Sequence, residues 1–103
     1  GPVAAGASFT GGDDQITIGI TAPSLPSGWS IYSGIAAAIR QQNPQSGTLY
    51  QMAAGEDTTS TYEVVLTGLA DAQTYVCGAW FKYIRPDGTY AYGPAIQDTA
   101  TTT

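Results

Sequence analysis

The chain is predicted to fold as an all-β protein, a two-sheet antiparallel sandwich of seven short strands. Apolar and polar residues alternate in short runs, as at Ile16, Ile18 and Ile20 and again at Tyr62, Val64 and Leu66. Clusters of Gly, Pro, Asn and Asp separate these runs at short intervals. The 103 residues match one such domain. A chain of that size buries roughly two-thirds of its unfolded surface, enough for a single core.

Taken in order, residues 1–7 are small and carry no periodicity. They read as a linker or the remnant of a cleaved tag, which leaves residues 8–103 as the single domain. A short first strand is expected near Ser8-Phe9-Thr10, followed by a turn at Gly11–Asp14. Ile16, Ile18 and Ile20 mark a half-buried second strand, which Pro23 and Pro26 bring to an end. Trp29–Tyr32 follow, and Ile35–Arg40 reads as the third strand with Ile35, Ala37 and Ile39 inward. Ala36-Ala37-Ala38 favours helix, but Gly34 before it and Asn43-Pro44 after it leave little room for one. Gln41–Gly47 is a polar turn, Thr48–Ala53 a short strand and Ala54–Ser60 a loop. Two strands joined by a corner at Gly68–Gln73 follow, the second with Tyr75, Cys77, Ala79 and Phe81 on its inner face. Arg85-Pro86-Asp87-Gly88-Thr89 makes a hairpin turn, with proline fixing φ and glycine accepting the left-handed conformation. Tyr90–Tyr92, Gly93-Pro94 and residues 95–103 form a broken last strand.

Leu66, Gly68, Leu69 and, six positions on, Tyr75 resemble the pattern joining strands E and F of fibronectin type III modules. Asp71, Tyr75 and Cys77 are also similar to the Asp-x-x-x-Tyr-x-Cys signature of immunoglobulin domains. The resemblance implies a fibronectin type III-like (Ig-like) sandwich with a tyrosine corner. In such a corner the Tyr75 hydroxyl would bond to the chain a few residues upstream while its ring packs in the core. Leu66, Leu69, Tyr75, Cys77 and Phe81 form the structural set it implies. The match is tight over residues 61–83 and looser, by strand order and spacing, over about residues 8–100. The chain departs from both families by lacking a tryptophan in the second strand and the immunoglobulin cysteine there. It also has no tryptophan within the third strand.

Composition excludes several function classes. Apolar residues make up 43% of the chain, as in a globular domain, but charged residues only 11%, against about 25% in an average one. The surface is therefore built from Thr, Ser, Gln, Gly and Ala. The net charge is −5, and the three basic residues (Arg40, Lys82, Arg85) make no phosphate-tracking patch, so nucleic acid is not an expected partner. No run approaches the ~18 apolar residues of a membrane span, and no signal-peptide pattern opens these residues.

With no histidine, neither a Ser-His-Asp nor a Cys-His arrangement can be assembled, so an enzyme is not expected. Cys77 reads as a buried structural thiol. Asp13-Asp14 and Glu56-Asp57 lack the spacing of a known calcium loop, so neither metal nor cofactor is expected. Arg85-Pro86-Asp87-Gly88 occupies the loop where some fibronectin modules present Arg-Gly-Asp, but in a different order.

The aromatic residues are the candidate site. By alternation Trp80 and Lys82 point away from Tyr75 and Phe81, and Tyr83, Tyr90 and Tyr92 flank the hairpin, with Trp29 and Tyr32 near the second loop. These rings either pair across strands to stabilise the sheet or form an exposed platform. The resemblance implies a non-catalytic structural or interaction module of an extracellular or virion protein (phage tail, fibre or decoration), mediating adhesion or spacing against a protein partner. The alternative is a carbohydrate-binding module that attaches its parent protein to a surface polysaccharide through Trp80, Tyr90 and Tyr92.

Overall fold

The computed structural model describes residues 2–41 and 50–103. Eight strands run in chain order: β1 (Gly6–Gly12), β2 (Gln15–Thr21), β3 (Ser30–Gln41), β4 (Tyr50–Asp57), β5 (Glu63–Leu66), β6 (Thr74–Ile84), β7 (Tyr90–Tyr92) and β8 (Ile96–Thr101). One sheet has the order β1-β2-β5. The other has the order β4-β3-β6, with β7 and β8 both pairing with β6, and every pairing is antiparallel. Eight segments stand where seven strands were expected because Gly93-Pro94 divides the last one, proline having no N–H for the ladder. The two sheets make the antiparallel, fibronectin type III-like sandwich that the sequence predicts.

Strict alternation supplies the core. Ile16, Ile18 and Ile20 of β2 and Val64 and Leu66 of β5 face Tyr75, Cys77, Ala79, Phe81 and Tyr83 of β6. The corner between β5 and β6 is closed by a hydrogen bond that the Ala70 N–H donates to the Tyr75 hydroxyl at 2.8 Å. The Leu69 N–H also reaches the Asp14 carbonyl (2.9 Å), and this ties the corner to the β1–β2 turn. Tyr62 lies just ahead of β5 with φ 47°, yet its ring still packs inward on Phe81 with centroids 5.0 Å apart.

β3 corrects the expectation that Ile35, Ala37 and Ile39 face inward. Ala36 and Ala38 are fully buried instead, while Ile39 is 39% exposed. The cause is a register shift between Ile31 and Ser33 in the pairing with β6. Ile31 packs on the core, and after the one extra residue the inward set becomes Gly34, Ala36 and Ala38. Small residues suit this face, because a Cβ on Gly34 would stand 3.1 Å from Ile20 Cδ1 and 3.7 Å from Phe81. The large side chains come from β2, β5 and β6, and β3 yields them the space.

Other boundaries also moved. β1 begins at Gly6, two residues before the expected domain start, and the Ala5 N–H bonds to the Thr21 carbonyl (3.0 Å). β4 continues through Asp57, across most of what was read as a loop, because its backbone pairs with β3 as far as Gly34↔Asp57. The expected turn at Gln41–Gly47 and strand start at Thr48 fall, beyond Gln41, outside the described residues.

The two ends of the strand order meet. A Cβ on Gly11 would sit 1.7 Å from the Thr101 carbonyl oxygen, so only glycine lets β1 and β8 approach here. The Thr103 N–H bonds to the Gly12 carbonyl at 3.0 Å, and the Thr102 hydroxyl takes the Gln73 N–H at 3.0 Å and donates to the Ala70 carbonyl at 2.5 Å.

The inverted face of β3 is directly testable. Ala38→Glu places an unpaired charge in the core and is expected to cost several kcal/mol, enough to prevent folding. Ile39→Glu is expected to change stability by no more than about 0.5 kcal/mol. Urea unfolding of the two variants checks this, and the opposite ranking would restore the simple alternation.

Candidate functional site

The outer face of the larger sheet carries the aromatic residues, and the β3 bulge and the β6–β7 hairpin bring them together. On β6, Val76, Gly78, Trp80 and Lys82 alternate with the core residues and so point outward. The bulge leaves Tyr32 on this side, beside Ser33, which stands opposite Lys82 in the register. The hairpin adds Tyr92 opposite Lys82 and Tyr90 opposite Ile84.

Turn chemistry fixes that hairpin. The Arg85 N–H bonds to the Thr89 carbonyl (2.7 Å) and the Gly88 N–H to the Arg85 carbonyl (2.9 Å), with Gly88 at φ 87°. Asp87 accepts the Thr89 hydroxyl (2.6 Å) and N–H (3.0 Å), and these bonds hold its carboxyl below the usual carboxylate range. The Arg85 guanidinium donates to the Thr89 hydroxyl and to the Tyr90 carbonyl, anchoring the strand that presents Tyr90.

The Lys82 ammonium lies 4.2 Å from the ring centroid of Tyr90, 4.9 Å from Tyr32 and 5.8 Å from Tyr92. Such contacts are worth about 0.5–1 kcal/mol each at exposed sites. Tyr32 and Tyr90 meet edge to face, 5.2 Å apart at 70°. The rings therefore wrap a cation rather than lying flat in one plane. Tyr90 and Tyr92 remain half or more exposed.

Further along the same face is a shallow groove of about 210 Å³, lined by Ala37, Ile39, Val76, Gly78, Trp80, Ala95 and Gln97. Trp80 is half-buried, and Val76 is 56% exposed. The sequence reading missed this groove because it turned Ile39 inward. Val76 was available as a signal, since it shares the parity of Trp80 and Lys82.

Tyr83 does not belong to the platform proposed for it. It is fully buried, because it shares the parity of Tyr75, Cys77, Ala79 and Phe81 on β6. Its ring meets Phe81 and the edge of Trp29, and its hydroxyl is buried with no hydrogen-bond partner among the described residues, so burial pushes its pKa up. Trp29 likewise packs against the core and forms one wall of a separate open depression of about 490 Å³ with Pro2, Val3, Pro23, Ser24 and Pro26. Cys77 is buried on the inner face, where desolvation, with Asp98 nearby, raises its thiol pKa. A raised pKa leaves little thiolate and so little nucleophilicity.

The acidic residues serve turns. Asp57 accepts the hydroxyl (2.7 Å) and N–H (2.8 Å) of Thr59, the Glu63 N–H (2.9 Å) and the Thr61 hydroxyl (3.0 Å), which lowers its pKa to about 2. Asp13, Asp14 and Asp71 present carboxylate oxygens within 4.8 Å of one another, all exposed, at the end of the sandwich away from Lys82. The sequence could not pair Asp71 with the other two, since the corner brings them together only in the fold.

No family model matches the chain, and no curated protein matches it. Among solved structures, the chain is similar to a computationally redesigned β-sandwich protein, with a TM-score of 0.64 and 20% identity over 98% of this chain and 89% of that one. It is also similar to the structure of a myokine, with a TM-score of 0.54 and 11% identity over 98% of this chain and 96% of that one. At these identities the likeness establishes the fold, a β-sandwich.

Two predictions follow from the buried and capped groups. Tyr83→Phe removes a hydroxyl that has no partner, so the unfolding free energy is expected to stay within about 0.5 kcal/mol or rise; a larger loss would reveal a partner. Because the folded-state pKa of Asp57 is depressed, its bonds add stability above its unfolded pKa of about 4. That contribution is lost as pH falls through about 2. Thermal unfolding between these pH values is expected to be less acid-sensitive in Asp57→Asn; an unchanged pH profile would overturn this.

Proposed function

We propose that the chain is a non-catalytic interaction module that docks on a partner protein, within a larger extracellular or virion assembly, through the outer face of its β4-β3-β6-β7/β8 sheet. The observation that carries the reading is the apolar groove at Ile39, Val76 and Trp80. It exposes aliphatic and aromatic surface on a rigid, hydrogen-bonded sheet. Exposed apolar patches on a sandwich face suit protein contact, and tryptophan is enriched among the residues that anchor such contacts. The absence of histidine and the raised pKa of Cys77 support a role without catalysis.

Binding to surface glycan is the second reading, and Tyr90 and Tyr92, both exposed, favour it. Against it, the rings around Lys82 are inclined rather than coplanar, whereas stacking on a sugar needs an open flat face. The groove also offers few polar side-chain groups, chiefly the Gln97 amide and the Trp80 indole N–H.

The test is selection of a random linear-peptide display library on the immobilised protein. Enriched peptides are expected to lose binding to Val76→Glu and to keep it with Val65→Glu, a change on the exposed side of the other sheet. Peptides indifferent to Val76→Glu would overturn the docking face. In parallel, tryptophan fluorescence titrated with bacterial polysaccharides is expected to stay flat. A saturable change abolished by Trp80→Ala would transfer the function to glycan binding.

A further inference from the structure

Gly78 lies in the middle of β6, paired with Ala37 on one side and Gln97 on the other, and it faces outward. A glycine in a central strand weakens it, and such positions often mark a place where another molecule approaches closely. The fold does not require this glycine. A Cβ added to it would meet nothing nearer than Trp80 Cζ3 at 3.7 Å and Ala95 Cβ at 3.8 Å, which is ordinary van der Waals contact. Ala37 and Ala95 are small neighbours, and Val76, Ile39, Trp80 and Gln97 line the space around them. The result is a slot of about 210 Å³, room for one large aliphatic or aromatic side chain.

The second observation is electrostatic. Of the three cationic side chains, Arg40 sits over the Tyr75 ring and bonds Gln73, and the Arg85 guanidinium is committed to Thr89 and the Tyr90 carbonyl. Among the described residues Lys82 meets the three tyrosine rings. Ring faces attract an ammonium without cancelling its charge or accepting its N–H groups as a carboxylate would. On the same sheet face Glu56 keeps its charge while accepting the Ser33 hydroxyl, and among the described residues no carboxylate forms an ion pair with Lys82. In a chain of net charge −5, Lys82 is a fixed positive point, prepared for an anionic group from outside.

Resting on the docking face proposed above, we infer that this sheet recognises an extended segment of the partner protein that seats one apolar side chain over Gly78 and pairs a carboxylate with Lys82. Gly78 and Lys82 are four residues apart on one strand, about 13 Å at the rise of a β-strand. An extended segment lying along β6 spans that distance with the same number of residues. Its recognition pattern is therefore a large apolar residue and an Asp or Glu about four positions away. The apolar residue supplies the affinity and the carboxylate sets the register, because exposed ion pairs contribute less than a buried side chain.

The peptides selected on the protein test this. The expected consensus pairs Leu, Ile, Phe or Trp with Asp or Glu four positions along. Gly78→Val fills the slot and is expected to weaken binding at least about tenfold, with circular dichroism and the thermal midpoint retained. Replacing the peptide's Glu by Gln is expected to weaken binding by about three- to fivefold. In Lys82→Gln that replacement is expected to have no effect, the signature of a direct pair in a double-mutant cycle. Peptides that lose binding to Val76→Glu yet tolerate Gly78→Val, or that carry no acid coupled to Lys82, would overturn this inference and leave the docking face standing. Peptides indifferent to Val76→Glu would overturn both.

Discussion

One extra residue in β3, at Tyr32, decides what each side of the larger sheet presents. Up to Ile31 the strand keeps one phase, and from Gly34 onward it keeps the other. The phase change sends Gly34, Ala36 and Ala38 inward, where Tyr75, Phe81 and the isoleucines of β2 fill the volume, and sends Ile35, Ala37 and Ile39 outward. Had the phase been continuous, the two larger side chains of Ile35 and Ile39 would press into a space that already has Ile20 and Phe81 within 4 Å of the Gly34 position. Overpacking of that kind typically costs about 1–3 kcal/mol. The bulge thus relieves the core and, by the same displacement, lays Ile39 beside Val76 and Tyr32 beside Lys82. Core and face are two results of one backbone irregularity.

The face also depends on the hairpin. Asp87, Thr89 and Arg85 bond one another and the backbone so closely that Tyr90 is carried on a rigid support. Tyr90 then braces both Tyr32 and Lys82. An arrangement held this way loses little side-chain freedom when it meets a partner, which favours binding by reducing the ordering cost. By contrast the Trp29–Tyr83 pair, also aromatic, spends its surface on the core at the end of the sandwich.

Much of this was legible in the residues. The Ile16–Ile20 and Tyr75–Phe81 alternations fixed the inner faces of β2 and β6, and the Leu66–Tyr75 spacing led to the corner bond at Ala70. The hairpin followed from Pro86 and Gly88. What eluded the sequence was a matter of phase and of contact across strands. Nothing local in Ile31-Tyr32-Ser33-Gly34 announces a bulge, because its cause lies in the volume of side chains on β2 and β6. The burial of Tyr83 was available from parity alone, had the β6 alternation been carried one step beyond Phe81. Gly78 was readable as a glycine in a strand, but its open surroundings depend on Ala37 of β3 and on Ala95, just ahead of β8.

The break at Gly93-Pro94 has a consequence for life among other copies of the chain. A Cβ at Gly93 would stand 2.7 Å from the Pro2 carbonyl oxygen and 3.0 Å from the Tyr83 ring, so Pro2 packs closely against the chain where β7 ends. Together with the missing N–H of Pro94, this leaves the sheet's outer border as two short pieces, three and six residues long. A border interrupted in that way makes a poor template for a foreign strand. On this border the ladder that an added strand would need is interrupted between β7 and β8.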